Sequence, residues 1–317
     1  MTMILGTGDH TYEVVPNWPK LPSGFELGDC FGGAVDSKDR LYLSNRGPHP
    51  VVVLDLDGNL LDTWGEGLLK MPHGIAAGPD DSIYCTDLED GVVRKLTTNG
   101  ELLQTIGAES GRFSGKPFNR PSHLAVSPVS GDLFVTDGYG NSRVHRYSPD
   151  GKLKYSWGEA GAGQGQFVVP HNIVIDKEEK IYIADRENHR IQVFSSDGQH
   201  LNTWPGIWRA AGLVMDKHEN VIVAEMPPPV YILDAPGVGH AISVYTKDGE
   251  LQTRFGDPIP GEEPGKFTAP HALAIDSRGD LYVCEMPGSN MGEEWNNEAA
   301  EKRGVGAPRS VLKLAKR

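Results

Sequence analysis

Three histidines recur at wide, regular intervals in this chain. His73, His171 and His271 each follow a proline, and they lie 98 and 100 residues apart. The chain repeats a shorter pattern roughly every 50 residues, so the three histidines fall in every second repeat. In a closed ring of six repeats they would approach one axis from directions about 120° apart. Three neutral imidazoles that leave a fourth position open are typical of a catalytic metal site.

The donor type indicates which metal to expect. Imidazole nitrogens favour zinc, although copper, iron or nickel would also accept them. Bound zinc polarises an oxygen atom or lowers the pKa of a bound hydroxyl group. The alternative is a packing histidine that is repeated from unit to unit. A fourth histidine, His123, occupies the same slot between His73 and His171. It could be a fourth ligand, a partner that supports the ligands, or a packing residue.

Three further side chains are expected near these histidines. Tyr139 follows a predicted second strand, and a phenol, whose ordinary pKa is about 10, becomes a usable base beside cationic charge. Arg186 and Arg46 follow the second strands of two other repeats, and paired guanidinium groups favour a carboxylate ligand. The alternatives are a tyrosine that packs on the next repeat and arginines that pair with neighbouring acids. The acids that end second strands are expected to cap backbone turns: Asp87, Asp137 and Asp185.

The elements that must position these residues are four short strands per repeat. The first strand is an apolar run, the second ends in an acid or amide, and the third enters an Asp-Gly or Asn-Gly turn that is typical of a hairpin. The fourth ends in an aromatic residue or isoleucine before glycine, as at Trp64 and Trp157. Six such repeats predict an all-β fold, a six-bladed β-propeller, as one domain over residues 1–317. This architecture resembles the propellers built from NHL-type repeats. The blades should start near residues 30, 70, 120, 168, 208 and 268.

The sixth repeat lacks a fourth strand of its own. An N-terminal run at residues 12–16 is predicted to pair with this blade and close the ring, which would remove an exposed sheet edge. The histidines precede first strands, whereas Tyr139, Arg186 and Arg46 follow second strands, so both sets should lie on one face. Two long connections on that face, residues 226–240 and 286–307, are expected to act as binding loops or lids.

Composition limits the class of protein. The formal net charge of −13 and the pI near 5.3 disfavour nucleic acid and anionic membranes as partners. The sequence has no apolar run of membrane-spanning length, and its N-terminus does not have the pattern of a secretory signal. Three cysteines at distant positions are typical of a reducing compartment. We therefore expect a cytoplasmic protein, and the sequence indicates no particular oligomeric state.

Two long motifs between the Pro-His pairs carry a family resemblance. They are Asp-Gly-Tyr-Gly-Asn-Ser-Arg at residues 137–143 and Ala-Asp-Arg-Glu-Asn-His-Arg-Ile-Gln at residues 184–192. With the Pro-His pairs in this order, the chain resembles the peptidyl-α-hydroxyglycine α-amidating lyase family. The resemblance implies a propeller that holds zinc through the three Pro-His histidines and cleaves a carbinolamide into an amide and glyoxylate. It also implies that Tyr139 is the base and that Arg46 and Arg186 bind the substrate carboxylate.

The chain departs from the family pattern at several positions. Gly140 and Val193 stand in place of the family's paired cysteines, and Ala272 replaces the aspartate that binds a structural calcium ion. Ala269 and His123 occupy the positions of a methionine and an aspartate. These differences argue against disulfides and a structural Ca²⁺, while the zinc ligands are retained. A cytoplasmic relative should act on a small carboxylate-bearing molecule, such as an N-acyl or N-substituted α-hydroxyglycine.

Two other functions fit the same scaffold. A metal-dependent hydrolase or lactonase would use a metal-bound water as its nucleophile. A non-catalytic NHL interaction module would bind no transition metal tightly. Because one fold hosts many functions, the scaffold alone does not choose among the three.

Overall fold

The computed structural model describes residues 3–107, 117–229, 232, 237–290 and 308–317. Its strands are two to six residues long, and most belong to six antiparallel sheets, one from each repeat, which we call blades 1–6 in chain order. The predicted fold class, an all-β six-bladed β-propeller, is confirmed. The chain clusters into two compact units, residues 1–63 with 214–317 and residues 64–213. The prediction of a single domain stays a prediction.

The first unit begins with a hairpin of two short strands. These are β1 (Ile4–Thr7) and β2 (His10–Val14), paired antiparallel. Blade 1 follows as β3 (Cys30–Val35), β4 (Leu41–Asn45), β5 (Val51–Leu54) and β6 (Leu60–Trp64).

The second unit contains blades 2, 3 and 4. Blade 2 consists of β7 (Pro72–Ala77), β8 (Ile83–Asp87), β9 (Val92–Leu96) and β10 (Leu102–Ile106). Blade 3 consists of β11 (His123–Val126), β12 (Leu133–Asp137), β13 (Arg143–Tyr147) and β14 (Leu153–Trp157). A two-stranded parallel ribbon, β15 (Glu159–Ala160) and β16 (Gln166–Phe167), leads to blade 4. Blade 4 consists of β17 (Pro170–Ile175), β18 (Ile181–Asp185), β19 (Arg190–Phe194) and β20 (His200–Pro205), with a 3₁₀ turn at Arg186–Asn188.

Blades 5 and 6 follow, and the first unit resumes at Val214, within the first strand of blade 5. Blade 5 consists of β21 (Ala210–Met215), β22 (Val221–Glu225), β23 (Ala241–Tyr245) and β24 (Leu251–Phe255). Blade 6 consists of β25 (Pro270–Ile275), β26 (Leu281–Glu285) and β27 (Val311–Lys316), with a short helix, α1 (Pro287–Asn290), after β26. The N-terminal strand β2 pairs with β27, as predicted, and β1 adds a fifth strand beyond it. The pairing strand is residues 10–14 rather than 12–16.

Local side-chain chemistry explains the turn between first and second strands. In blade 4, one oxygen of Asp176 accepts hydrogen bonds from the backbone N–H groups of Glu178 and Lys180 at 2.9 and 2.8 Å. The hydroxyl of Tyr182 donates to the other oxygen at 3.0 Å. Asp36 and Asp276 make the same turn in blades 1 and 6. Aspartate favours such turns because its carboxylate satisfies backbone donors locally.

Apolar residues form buried clusters within each unit. Phe134, Phe167 and Phe194 pack together in the second unit, and Trp18 packs on Tyr282 in the first. Burial of such a side chain contributes about 1.5–3 kcal/mol. Within the described ranges, no helix has the length and apolar character that a membrane crossing requires.

Parts of the two long connections lie outside the described residues, namely 230–231, 233–236 and 291–307. Their role as lids stays a prediction.

Candidate active site

The acid at the end of a second strand holds the loop in front of the first strand. In blade 2, Asp87 accepts a hydrogen bond from the backbone N–H of Lys70 at 2.7 Å. In blade 4, Asp185 accepts one from Val168 at 2.8 Å. Glu285 holds the corresponding loop of blade 6 in the same way. Each of these loops ends in a Pro-His pair, so the carboxylate fixes where the histidine enters its strand.

The imidazoles of His73 and His171 are buried in the second unit. Nδ1 of His73 lies 2.6 Å from the carbonyl oxygen of Ser122, and Nδ1 of His171 lies 2.8 Å from that of Ala211. Because a carbonyl oxygen only accepts, each neutral ring carries its proton on Nδ1 and presents a lone pair on Nε2. A histidine that ligates a metal through one nitrogen usually donates from the other in this way.

The hydroxyl of Tyr139 lies between these two rings. Its oxygen is 3.0 Å from Nε2 of His73 and 2.9 Å from Nε2 of His171. Two nitrogen lone pairs and the phenolic oxygen converge here, whereas the hydroxyl brings one proton. A cluster this rich in lone pairs suits a metal cation, and nitrogen donors suit zinc in particular.

The loop that carries Tyr139 is fixed by its own motif. Asp137 accepts hydrogen bonds from the backbone N–H of Asn119, at 3.0 and 2.9 Å to its two oxygens. Gly138 passes close to blade 4, because a Cβ atom there would lie only 2.2 Å from the carbonyl oxygen of Pro170. Glycine therefore allows Tyr139 to reach the ring of His171, which follows Pro170 directly.

Arg186 brings a buried positive charge to the same oxygen. Its Nη1 donates to the Tyr139 hydroxyl at 3.2 Å, and its Nε donates to Glu187 at 2.7 Å. Burial alone lowers the pKa of Arg186, but Tyr139 and Glu187 outweigh burial and raise that pKa. A guanidinium that stays charged beside the phenol stabilises negative charge on the phenolic oxygen.

Glu187 joins Arg186 to a second arginine that the sequence interpretation did not single out. Nη2 of Arg209 lies 3.0 Å from the carboxylate of Glu187. Burial raises the pKa of Glu187, but the two guanidinium charges lower it overall. Glu187 belongs to the motif at residues 184–192, so the motif was an available signal. Nothing in the sequence around Arg209 indicates this pairing.

The first unit holds His271 and Arg46. His271 is buried, and its Nδ1 lies 2.9 Å from the carbonyl oxygen of Phe31, so it has the same tether as the other two histidines. The Phe31 ring meets the His271 ring edge-on, with 5.0 Å between centroids. The guanidinium carbon of Arg46 lies 3.6 Å from the Phe31 ring centroid. Arg46 is exposed, and Phe31 fixes its position through a cation–π contact.

His123 has the environment of a packing residue. It is not part of the histidine group that could hold a metal ion. Its ring lies against Gly74, where an added Cβ would come within 2.8 Å of the imidazole. Its Nδ1 is buried with no hydrogen-bond partner in the described part of the chain. Burial lowers the pKa of His123 to about 4, so the ring is neutral at neutral pH.

Comparison with known proteins places this site in a family. The NHL repeat model matches residues 118–147 and 167–194, which carry Tyr139 and Arg186. NHL repeat-containing protein 3 of Homo sapiens is 33% identical over 297 residues, covering 87% of this chain and 81% of that protein. Peptidyl-alpha-hydroxyglycine alpha-amidating lyase 1 of Drosophila melanogaster is 34% identical over 281 residues, 79% of this chain and 50% of that protein. This chain belongs to the NHL-repeat family that includes the amidating lyases.

Two other proteins are similar to this NHL-repeat protein over only part of their length or at lower sequence identity. Peptidyl-glycine alpha-amidating monooxygenase A of Xenopus laevis is 28% identical over 91% of this chain, which spans only 34% of that protein. A gluconolactonase structure from Xanthomonas campestris superposes with a TM-score of 0.62 at 16% identity, covering 98% of this chain and 91% of that one. At that identity the superposition shows a shared fold alone.

Proposed function

We propose that this protein is a metal-dependent carbon–nitrogen lyase. Its substrate would be a small N-acyl or N-substituted α-hydroxyglycine, and its products an amide or amine and glyoxylate. The observation that carries the proposal is the Tyr139 hydroxyl, held between two Nε2 atoms with a charged Arg186 donor on the same oxygen. The similarity to the Drosophila melanogaster amidating lyase supports the reaction class.

The proposed cofactor is zinc, held by three histidines. We propose His73, His171 and His271 as its ligands, and each of the three imidazoles is buried. All three place Nδ1 on a backbone carbonyl, which leaves Nε2 for the metal. When bound, zinc would act as a Lewis acid on the substrate hydroxyl.

Tyr139 is the proposed base. The step requires the deprotonated form of Tyr139, whose oxygen takes the proton of the carbinol hydroxyl. The guanidinium of Arg186 would stabilise the negative charge of that form. The carbinol oxygen then forms the aldehyde C=O bond while the C–N bond breaks. The bond electrons leave on nitrogen, which takes the proton back from Tyr139 and departs as the amide. Water is not a reactant in this sequence.

The substrate carboxylate needs a cationic partner. We assign it to Arg186 and Arg46, because guanidinium groups bind carboxylates through two parallel hydrogen bonds. Glu187 restrains Arg186, and the Phe31 ring restrains Arg46, so both would bind with little loss of side-chain freedom.

The cellular compartment is also proposed rather than observed. Cys30, Cys85 and Cys284 are free and buried, and burial raises the pKa of Cys30 to about 12. Thiols in that state do not form disulfides readily. Free cysteines of this kind support a reducing, cytoplasmic location and hence a small-molecule substrate.

The decisive experiment measures glyoxylate release from N-acetyl-α-hydroxyglycine by purified, zinc-supplemented protein. We expect stoichiometric amide and glyoxylate, with no solvent oxygen-18 in the acyl product. Solvent label in a carboxylate product would instead favour the hydrolase or lactonase. A protein that retains no transition metal and turns over no carbinolamide would favour the non-catalytic module.

A further inference from the structure

A second guanidinium group lies on the Tyr139 ring. The guanidinium carbon of Arg120 is 5.5 Å from the ring centroid, and that of Arg186 is 5.4 Å away. Arg186 is paired with Glu187 at 2.7 Å. In contrast, the Nε of Arg120 is buried and has no hydrogen-bond acceptor among the residues that the structure describes. A buried donor without an acceptor is costly, so an anion bound there would relieve that cost.

The backbone around Arg120 is anchored on both sides. Before it, the Asn119 N–H is held by the carboxylate of Asp137, and the Asn119 side chain lies so close to Gly140 that an added Cβ would be 2.3 Å away. After it, the Ser122 carbonyl holds Nδ1 of His73 at 2.6 Å. Arg120 itself has a φ of +71°, which non-glycine residues rarely adopt. Strained residues of this kind cluster at ligand sites.

We propose that Arg120 binds a second anionic group of the substrate, a carboxylate on its N-acyl portion. The inference rests on the proposed lyase function and narrows its substrate class to dianionic α-hydroxyglycine derivatives. Arg186 and Arg46 take the carboxylate beside the carbinol carbon. Arg120 lies on the same phenol ring and carries a planar fork of donors that matches a second carboxylate.

The test compares kcat/KM for N-succinyl-α-hydroxyglycine and N-acetyl-α-hydroxyglycine, which differ by a terminal carboxylate arm. The wild-type protein should prefer the succinyl substrate. Arg120→Gln should lower the ratio of the two kcat/KM values about 10- to 100-fold, the range expected for hydrogen bonds to a charged group. Arg278→Gln, an exposed arginine on the turn after β25, should leave the ratio unchanged. An equal ratio in wild type and Arg120→Gln would overturn the proposal.

A binding measurement separates this inference from the lyase assignment. N-succinylglycine and N-acetylglycine lack the carbinol hydroxyl, so calorimetry reports their affinity without turnover. If Arg120→Gln weakens the binding of N-succinylglycine but not that of N-acetylglycine, the Arg120 site is supported even if no carbinolamide is cleaved. If the substitution weakens the binding of both ligands equally, the Arg120 proposal is overturned even if the lyase activity is established. Should Arg120→Gln fail to fold by circular dichroism, Arg120→Lys keeps the charge but loses the fork. Arg120→Lys should then lower the ratio of the two kcat/KM values, but by less than the 10- to 100-fold expected for Arg120→Gln.

Discussion

The phenolic oxygen of Tyr139 lies 2.9 Å from Nε2 of His171. The carbonyl oxygen of Ala211 accepts the hydrogen bond from Nδ1 of His171, so the lone pair on Nε2 faces the phenol. This contact joins the proposed base to a proposed metal ligand. The proposed base therefore lies in direct contact with two proposed metal ligands, His73 and His171. Changes to either residue should be felt in both metal binding and turnover.

Tyr139→Phe should abolish most activity while leaving the fold intact. Removing the hydroxyl removes the base, so kcat for glyoxylate release should fall about 100- to 10,000-fold. Tyr147→Phe is the matched control in the same blade, because its buried hydroxyl has no hydrogen-bond partner among the described residues. That control should keep its kcat and its melting temperature. Equal activity in Tyr139→Phe and wild type would rule out the phenol as base.

His171→Ala should release the metal, whereas His123→Ala should not. Three ligands define the proposed site, and loss of one weakens zinc binding strongly. His123 lies outside that set and is neutral at neutral pH. Elemental analysis after dialysis should find metal in wild type and His123→Ala, and little in His171→Ala. Metal loss from both variants to the same extent would contradict the ligand assignment.

Glu187→Gln should destabilise the protein in a pH-dependent way. The change leaves the buried Arg186 and Arg209 without their carboxylate, and we expect a loss of about 2–3 kcal/mol, at the lower end because Glu187 keeps some solvent contact. The pKa of Glu187 is lowered in the folded state, so its contribution is complete above the unfolded pKa of about 4.3 and is lost as the pH falls through the folded pKa.

Urea unfolding of the wild type and of Glu187→Gln at several pH values measures the contribution of Glu187 to the free energy of unfolding. The difference in unfolding free energy should be constant between about pH 5 and 8 and shrink below about pH 4. A difference that grows on acidification would show that Glu187 is not held in its charged form.

Gly138→Ala should move Tyr139 away from His171. The added methyl group would press on the Pro170 carbonyl, which is backbone and cannot rotate away, so we expect a loss of about 1–3 kcal/mol in stability. Weaker metal retention and lower activity should accompany it. Gly163→Ala is the control, because the nearest atom to its added Cβ belongs to the flexible end of the Gln166 side chain. The two variants should differ in metal content; if they do not, the close approach at Gly138 is unimportant.

Local patterns in the sequence were enough to predict most of the fold. First strands begin at residues 30, 72, 123, 170, 210 and 270, close to the predicted starts. This worked because strand alternation, Asp-Gly turns and the turns held by aspartates such as Asp176 each depend on residues within a few positions of each other. The hairpin partner β1 (Ile4–Thr7) was not predicted, because four residues with little alternation give no clear strand signal.

For the candidate site, too, features within one contiguous motif could be predicted, whereas contacts between distant residues could not. The amino-acid sequence determined the histidine spacing, the Tyr139 loop and the order of the strands, since each is encoded in a contiguous motif. Only the tertiary structure decided that Ser122 and Ala211 orient the imidazoles and that Arg209 shares Glu187 with Arg186. It also placed Arg120 on the phenol ring. These pairs are distant in sequence, and their meeting depends on how blades pack, which no local pattern encodes.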